Sequence, residues 1–195
     1  MRRQDLQEFL DAAREAYFAR ASGPTSAASS RRIFAGLETV APQALAEGKR
    51  LPVCGYLNDV NTADAAPDLQ RLMQKFSMLE PSLQWRRREG DWTGASANFG
   101  DNHANAIIVG PGGLEPRTDV WLGVSLLGPE VLYPEHTHAP EETYLVISPG
   151  DFCQGSNEWV HVSRGETYYN PRKIVHAMRS SEAPLLVFWA LSEAP

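Results

Sequence analysis

The stretch His136-Thr137-His138-Ala139-Pro140-Glu141-Glu142 decides the fold class of this chain, together with a later histidine, His176. Residues i and i+2 of a strand face the same way, so His136 and His138 could converge on one ion. Three imidazoles and one carboxylate suit a divalent transition metal ion (Zn, Fe, Mn, Ni or Co) and leave positions open for substrate. The sequence therefore predicts one such ion per chain, with His136, His138, Glu142 and His176 as its ligands.

Glycine and proline residues around these ligands make the pattern specific, because an isolated His-x-His could equally be two polar residues on an exposed strand. The two stretches resemble the two cupin motifs, which are metal-binding segments on strands of a small β-barrel. In the first motif, the flanking Gly128 and Gly150 are displaced by one or two residues. In the second, Gly165 and Pro171 fall at the family spacing, but Lys173 replaces a glycine. The resemblance implies a double-stranded β-helix, and no predicted ligand is missing.

Length and composition indicate an ordinary globular protein. The chain has 195 residues, of which 43% are hydrophobic and 22% are charged, so it fits one barrel with a helical extension. A net charge of -6 argues against nucleic acid and anionic membranes as partners. No apolar run is long enough to span a bilayer, and the N-terminus has no apolar signal core, so we expect a cytoplasmic protein. The one basic cluster, Arg86-Arg87-Arg88, has no predicted role.

The hydrophobic period changes near residue 100. Apolar residues recur at helical spacing before it, with one helix ending at Ser22-Gly23, a second beginning after Ser29-Ser30, and a third with Pro67 in its first turn. Short β-rich runs separated by glycine and proline follow from about residue 104. We therefore expect a mainly β protein, with an α-helical N-terminal extension at 1–100 packing on a cupin β-barrel at 101–195. The helices could also support a homodimer. His103 is expected to be a surface or loop residue.

Two tyrosines reduce the number of candidate functions. Tyr144 lies two residues after Glu142, so on a strand its phenol points to the same side, and Tyr133 lies three residues before His136. The string from Tyr133 to Tyr144 resembles the dimethylsulfoniopropionate (DMSP) lyases of the cupin superfamily. The resemblance implies cleavage of this small zwitterionic substrate to dimethyl sulfide and acrylate. It also implies that Tyr144 is the base and that Tyr133 binds substrate or stabilises charge. Family members differ in whether the first histidine of the motif, here His136, binds the metal.

These residue types suit β-elimination. A metal ion that draws charge from a substrate carboxylate stabilises an enolate-like transition state, and a phenol beside it becomes a stronger acid. Dimethyl sulfide leaves as a neutral molecule, so its departure requires no general acid. Two alternatives stay open from the residues: another metal-dependent cupin enzyme, such as an Fe(II) dioxygenase or an isomerase, and a cupin that binds a small ligand without catalysis.

Overall fold

The computed structural model describes residues 1–44 and 47–192. Helices come first and strands later, as the change of hydrophobic period predicts. The helical segments are α1 (Gln4–Arg20), α2 (Gly23–Gly36), α3 (Pro67–Leu79) and α4 (Phe99–Asn102), with short 3-10 segments at Pro52–Asp59 and Glu80–Ser82. The strands are β1 (His103–Val109), β2 (Val120–Leu127), β3 (Leu132–His136), β4 (Glu141–Val146), β5 (Gly150–Gln154), β6 (Val160–Val162), β7 (Thr167–Asn170), β8 (His176–Arg179) and β9 (Leu185–Ser192).

The strands form two antiparallel sheets that face each other. The larger has five strands in the order β1-β2-β9-β4-β7, and the smaller has four in the order β3-β8-β5-β6. Side chains from both sheets meet in one hydrophobic core, including Tyr144 and Val187 from the larger sheet and Phe152 and Met178 from the smaller. This is the arrangement of a cupin double-stranded β-helix. The predicted fold class, mainly β with helices at the N-terminus, is confirmed.

A second hydrophobic core joins the helices to the outer face of the larger sheet. The apolar face of α1 is buried there, and the ring of Phe9 lies 5.6 Å from that of Phe188 in β9 and 6.2 Å from that of Phe76 in α3. Strand β4 is buried at every position, because its two faces contribute to the two cores. The larger sheet thus lies between the helices and the smaller sheet, while the exact division of the chain at residue 100 stays a prediction.

The predicted start of the second helix is wrong. Helix α2 begins at Gly23, directly after α1, and not after Ser29-Ser30. Gly23 has a φ of +80°, a conformation that glycine adopts without steric cost, and Pro24 follows in the first turn, where its missing N–H is no loss. Ser29 and Ser30 are instead buried within the helix. Over the described residues, no helix is long and apolar enough to cross a membrane.

Candidate metal centre

The motif residues lie where the chain passes between the two sheets. Strand β3 ends at His136, Glu142 is the second residue of β4, and His176 begins β8. His138 lies in the connection between β3 and β4, so the prediction that His136 and His138 share one strand is wrong. The reason is that the chain leaves the smaller sheet after His136 and enters the larger one at Glu141. Pairing of β3 with β8 still sets His136 opposite His176.

Three of the predicted ligands bring their donor atoms together. Nε2 of His138 and Nε2 of His176 each lie 3.2 Å from Oε2 of Glu142, and all three donor atoms lie within 4.8 Å of one another. Donor atoms around a tetrahedral ion with bonds of about 2.1 Å are separated by about 3.4 Å. Nε2 of His176 is also buried and has no hydrogen-bond partner among the described residues. Buried polar atoms are rarely left without a partner, so this site fits a metal ion.

Backbone carbonyls fix the protonation of all three motif histidines. In each ring, Nδ1 lies within hydrogen-bonding distance of a carbonyl oxygen two residues away. The partners are Pro134 for His136 (3.0 Å), Pro140 for His138 (2.9 Å) and Ile174 for His176 (3.1 Å). A carbonyl oxygen can only accept, so Nδ1 carries a hydrogen, and in the neutral ring Nε2 keeps its lone pair for a metal ion.

His136 lies beside this group and outside it. Its ring centroid is 4.0 Å from that of His176, but its nitrogens do not belong to the cluster of three donor atoms. Burial, followed by the neighbouring His176, lowers the pKa of His136 to about 3, so the ring is neutral near neutral pH. Its role as a fourth ligand stays a prediction.

Glu142 is ionised and held by a polar side chain that the sequence reasoning missed. Burial disfavours its charge, but the His138 and His176 rings outweigh that effect when Nε2 carries a proton in place of a metal ion, and they then hold the pKa of Glu142 below the usual value. Asn170, opposite Glu142 on β7, donates from Nδ2 to Oε2 of Glu142 at 2.9 Å. Gln154 in turn donates to Oδ1 of Asn170 at 2.8 Å. The available signal was the position of Asn170 directly before the motif proline Pro171.

Both predicted tyrosines reach a cavity of about 240 Å³ that adjoins this cluster. Tyr144 follows Glu142 on the inner face of β4, and burial and then the charge of Glu142 raise the pKa of this phenol well above its usual value. Burial raises the pKa of Tyr133 to about 12. The cavity is lined by Asn105, Ile107, Trp121, Ser125, Tyr133, His136, His138, Glu142, Tyr144, Met178, Trp189 and Leu191. Among the barrel aromatics, Trp121 and Trp189 therefore contribute to it, whereas Phe188 lies in the helix-side core.

Comparison with known proteins assigns the family. A family model described as dimethylsulfoniopropionate lyase matches residues 25–187. The chain belongs to the DMSP lyase family. This membership supports the predicted carbon–sulfur lyase activity and a small-molecule substrate. The match extends into the helical region as well as the barrel, so it covers more than the motif strands. No curated protein sequence matches the chain.

Solved structures of DMSP lyases share the fold over nearly the whole chain. One is among the crystal structures of the DMSP lyases RdDddP and RnDddQII; it has 23% identity and a TM-score of 0.71, and the match covers 97% of this chain and 93% of the other. The DMSP lyase DddQ from Ruegeria pomeroyi DSS-3 has 21% identity and a TM-score of 0.69, with 98% and 94% covered. At these identities the likeness shows a common fold, including the N-terminal helices.

Proposed function

We propose that this member of the DMSP lyase family is a metal-dependent enzyme that cleaves DMSP to dimethyl sulfide and acrylate by β-elimination. One observation carries the proposal. The donor atoms of His138, Glu142 and His176 converge beside a cavity that Tyr144 and Tyr133 also line. Metal ligands, a candidate base and a second phenol thus meet at one small cavity.

His138, Glu142 and His176 are the residues that would hold the ion, with His136 as a further ligand. A divalent ion bound there would supply Lewis acidity toward a carboxylate oxygen of the substrate. The protein contributes the rest of the site. Backbone carbonyls orient the imidazoles, and Asn170 holds the Glu142 carboxylate in place. Such supporting contacts keep ligand geometry fixed while substrate binds and product leaves.

Tyr144 is the proposed base. It lies two residues after Glu142 on β4, and the negative charge of that carboxylate is one of the causes that keep the pKa of the phenol high. A divalent ion held by Glu142 would neutralise this charge, which would lower the pKa of Tyr144 and favour its phenolate. Tyr144 then accepts the proton from the carbon next to the carboxylate. The electron pair of the broken C–H bond forms the carbon–carbon double bond, the carbon–sulfur bond breaks, and its electron pair leaves with neutral dimethyl sulfide.

The wall of the cavity suits a sulfonium. Trp121 and Trp189 line it, and aromatic rings attract cations without a hydrogen bond. No Lys or Arg is among the lining residues in the described part of the chain, although the Arg88 guanidinium lies 5.5 Å from the centre of the Tyr133 ring. We therefore place the sulfonium against the two indoles and the carboxylate toward the metal ligands and the Tyr133 hydroxyl.

Headspace gas chromatography tests this function. Wild-type protein freed of metal, and then loaded in turn with Zn, Fe, Mn, Ni and Co, is supplied with DMSP under anaerobic conditions. We expect dimethyl sulfide from at least one metal-loaded form and none from the metal-free form. Release without oxygen would exclude a dioxygenase as the source of the activity. No dimethyl sulfide from any loaded form would overturn the proposal.

Two matched variants test the base. Tyr144→Phe removes only the hydroxyl at the cavity, and Tyr56→Phe removes a hydroxyl from a half-buried tyrosine that does not line the cavity. We expect Tyr144→Phe to bind metal as the wild type does and to lose turnover by about 10²-fold or more, the range for loss of a proton-transferring group. Tyr56→Phe should retain turnover. Full activity in Tyr144→Phe would remove this residue from the base role.

A further inference from the structure

A set of three polar side chains leads from the larger sheet to the hydroxyl of Tyr133. Nε1 of Trp189 donates to Oγ of Ser125 at 3.0 Å, Ser125 Oγ donates to Oδ1 of Asn105 at 2.6 Å, and Nδ2 of Asn105 donates to Oη of Tyr133 at 3.2 Å. All four residues line the cavity. We call Trp189, Ser125, Asn105 and Tyr133 the indole-to-phenol network.

The direction of hydrogen bonding in this network starts at the indole. The Trp189 N–H can only donate, so the Ser125 oxygen is an acceptor on that side. The Ser125 hydrogen is then free for Asn105, and no other acceptor for it lies within the described residues. Asn105 therefore presents Oδ1 to the serine and its NH₂ group to Tyr133.

The distances agree with this direction. O–H···O bonds are about 2.5–3.0 Å long and N–H···O bonds about 2.7–3.2 Å. The 2.6 Å separation between Ser125 and Asn105 fits a hydroxyl donor, and the 3.2 Å separation between Asn105 and Tyr133 fits an amide donor. A flipped amide would reverse both assignments. It would also leave the hydrogen of Ser125, a residue only 5% exposed, without a partner.

Gly123 makes this geometry possible. It lies opposite Trp189 in the pairing of β2 with β9. A Cβ atom at Gly123 would lie 2.2 Å from Cζ2 and 2.3 Å from Cη2 of the indole. The absent side chain therefore lets the indole lie across β2, where Nε1 reaches Ser125, two residues further along the strand.

We infer that the indole-to-phenol network fixes Tyr133 as a hydrogen-bond donor to the ligand in the cavity, with Asn105, Ser125 and Trp189 as positioning residues. The Tyr133 oxygen accepts from Asn105, and its own hydrogen has no acceptor among the described residues. Edge contacts with Phe99 (5.1 Å between ring centroids) and a contact with His136 (4.8 Å) hold the ring in place. The hydroxyl hydrogen therefore faces the cavity, where an anionic oxygen of a carboxylate or enolate would accept it.

This assignment separates the two tyrosines chemically. Tyr144 follows Glu142 on β4 and is the proposed proton acceptor from substrate, whereas Tyr133 receives a hydrogen bond and offers one. The catalytic consequence rests on the proposed function. The direction of the network does not, because it follows from the donors and acceptors alone.

Neutron diffraction from deuterium-exchanged, metal-loaded wild-type crystals tests the direction without any activity measurement. We expect deuterium on Ser125 Oγ directed to Asn105 Oδ1, two deuterium atoms on Asn105 Nδ2, and the Tyr133 deuterium directed into the cavity. A Tyr133 deuterium directed to Asn105 would overturn the inference. If the wild type released no dimethyl sulfide, the proposed function would fail, and these deuterium positions would still decide the inference.

A double-mutant cycle tests the catalytic consequence. Asn105→Asp replaces the NH₂ donor with an acceptor that draws the Tyr133 hydrogen away from the cavity. We expect it to lower kcat by about 10²-fold, the range for losing one transition-state donor, with a smaller change in KM. Tyr133→Phe should lower kcat similarly, and the double variant should lose no more than Tyr133→Phe alone.

The control is Asn61→Asp, at an exposed asparagine whose Oδ1 accepts from the Ala63 N–H, a contact that aspartate keeps. It should retain wild-type kcat. A loss of kcat from Asn105→Asp that is equally large when residue 133 is phenylalanine would show that Asn105 does not act through Tyr133, and would overturn the inference.

Discussion

Replacing Asn170 with alanine should weaken metal binding without touching any metal ligand. Asn170 donates to Oε2 of Glu142 at 2.9 Å, and that oxygen is the one that both imidazole nitrogens face. Gln154 keeps its bond to the Tyr169 carbonyl at 2.6 Å in the variant, so the loss falls mainly on Glu142. Loss of such a supporting contact raises the Kd for metal by about 10-fold to 100-fold, which corresponds to about 1.4–2.8 kcal/mol.

A competition titration of metal-free protein against a chromogenic zinc chelator measures this Kd. The matched control is Asn157→Ala, at an exposed asparagine outside the cavity, which should bind zinc as the wild type does. Circular dichroism of the metal-free proteins checks that Asn170→Ala remains folded. An unchanged Kd in a folded Asn170→Ala protein would refute the idea that this amide holds the Glu142 carboxylate for the ion.

Three further predictions concern packing and pH. Gly123→Ala places a methyl group 2.2 Å from the Trp189 indole, so Tm should fall and the tryptophan fluorescence spectrum should shift. Phe9→Ala removes a buried ring packed 5.6 Å from that of Phe188, and urea denaturation should show a loss of about 3–5 kcal/mol. Burial lowers the pKa of His103 from 6.5. The unfolded chain therefore binds more protons than the folded chain below that pH, so the free energy of unfolding falls as pH falls through 6.5. His103→Gln should make the free energy of unfolding less dependent on pH in this range.

Each of these predictions has a contrary result. A Gly123→Ala protein with unchanged Tm and fluorescence would mean that the indole is not confined by β2. A loss below about 1 kcal/mol for Phe9→Ala would mean that α1 contributes little to the core, since large buried aromatics ordinarily contribute more. Parallel pH profiles for wild type and His103→Gln would show that His103 titrates alike in the folded and unfolded chains.

The fold and the ligand types could be predicted because they depend on local patterns. Helical and alternating periods mark where the helices end and the strands begin. The spacing of His138, Glu142 and His176 carries the donor chemistry, and the structure brings these three together. The assignment of His136 and His138 to one strand was wrong because the end of a strand depends on where the chain crosses between sheets. The local alternation of residue types does not show where that crossing lies.

Contacts made across the barrel could not be predicted from local patterns. His103 was expected at the surface, yet it is fully buried, with its ring 3.6 Å from that of Phe99 and its Nε2 accepting the Arg88 N–H. Asn105 likewise lies far in sequence from Tyr133, and only the placement of β1 near β3 brings them into contact. A polar residue on a β-strand has many candidate partners, and the three-dimensional register selects one.

Anomalous X-ray diffraction from crystals of the metal-loaded protein, recorded at the absorption edge of the bound element, tests the metal centre most directly. We expect one anomalous peak per chain, within bonding distance of Nε2 of His138, Oε2 of Glu142 and Nε2 of His176. Elemental analysis first shows that the crystallised protein carries the metal. An anomalous peak elsewhere, or the absence of a peak beside these three atoms, would then contradict the proposed metal centre.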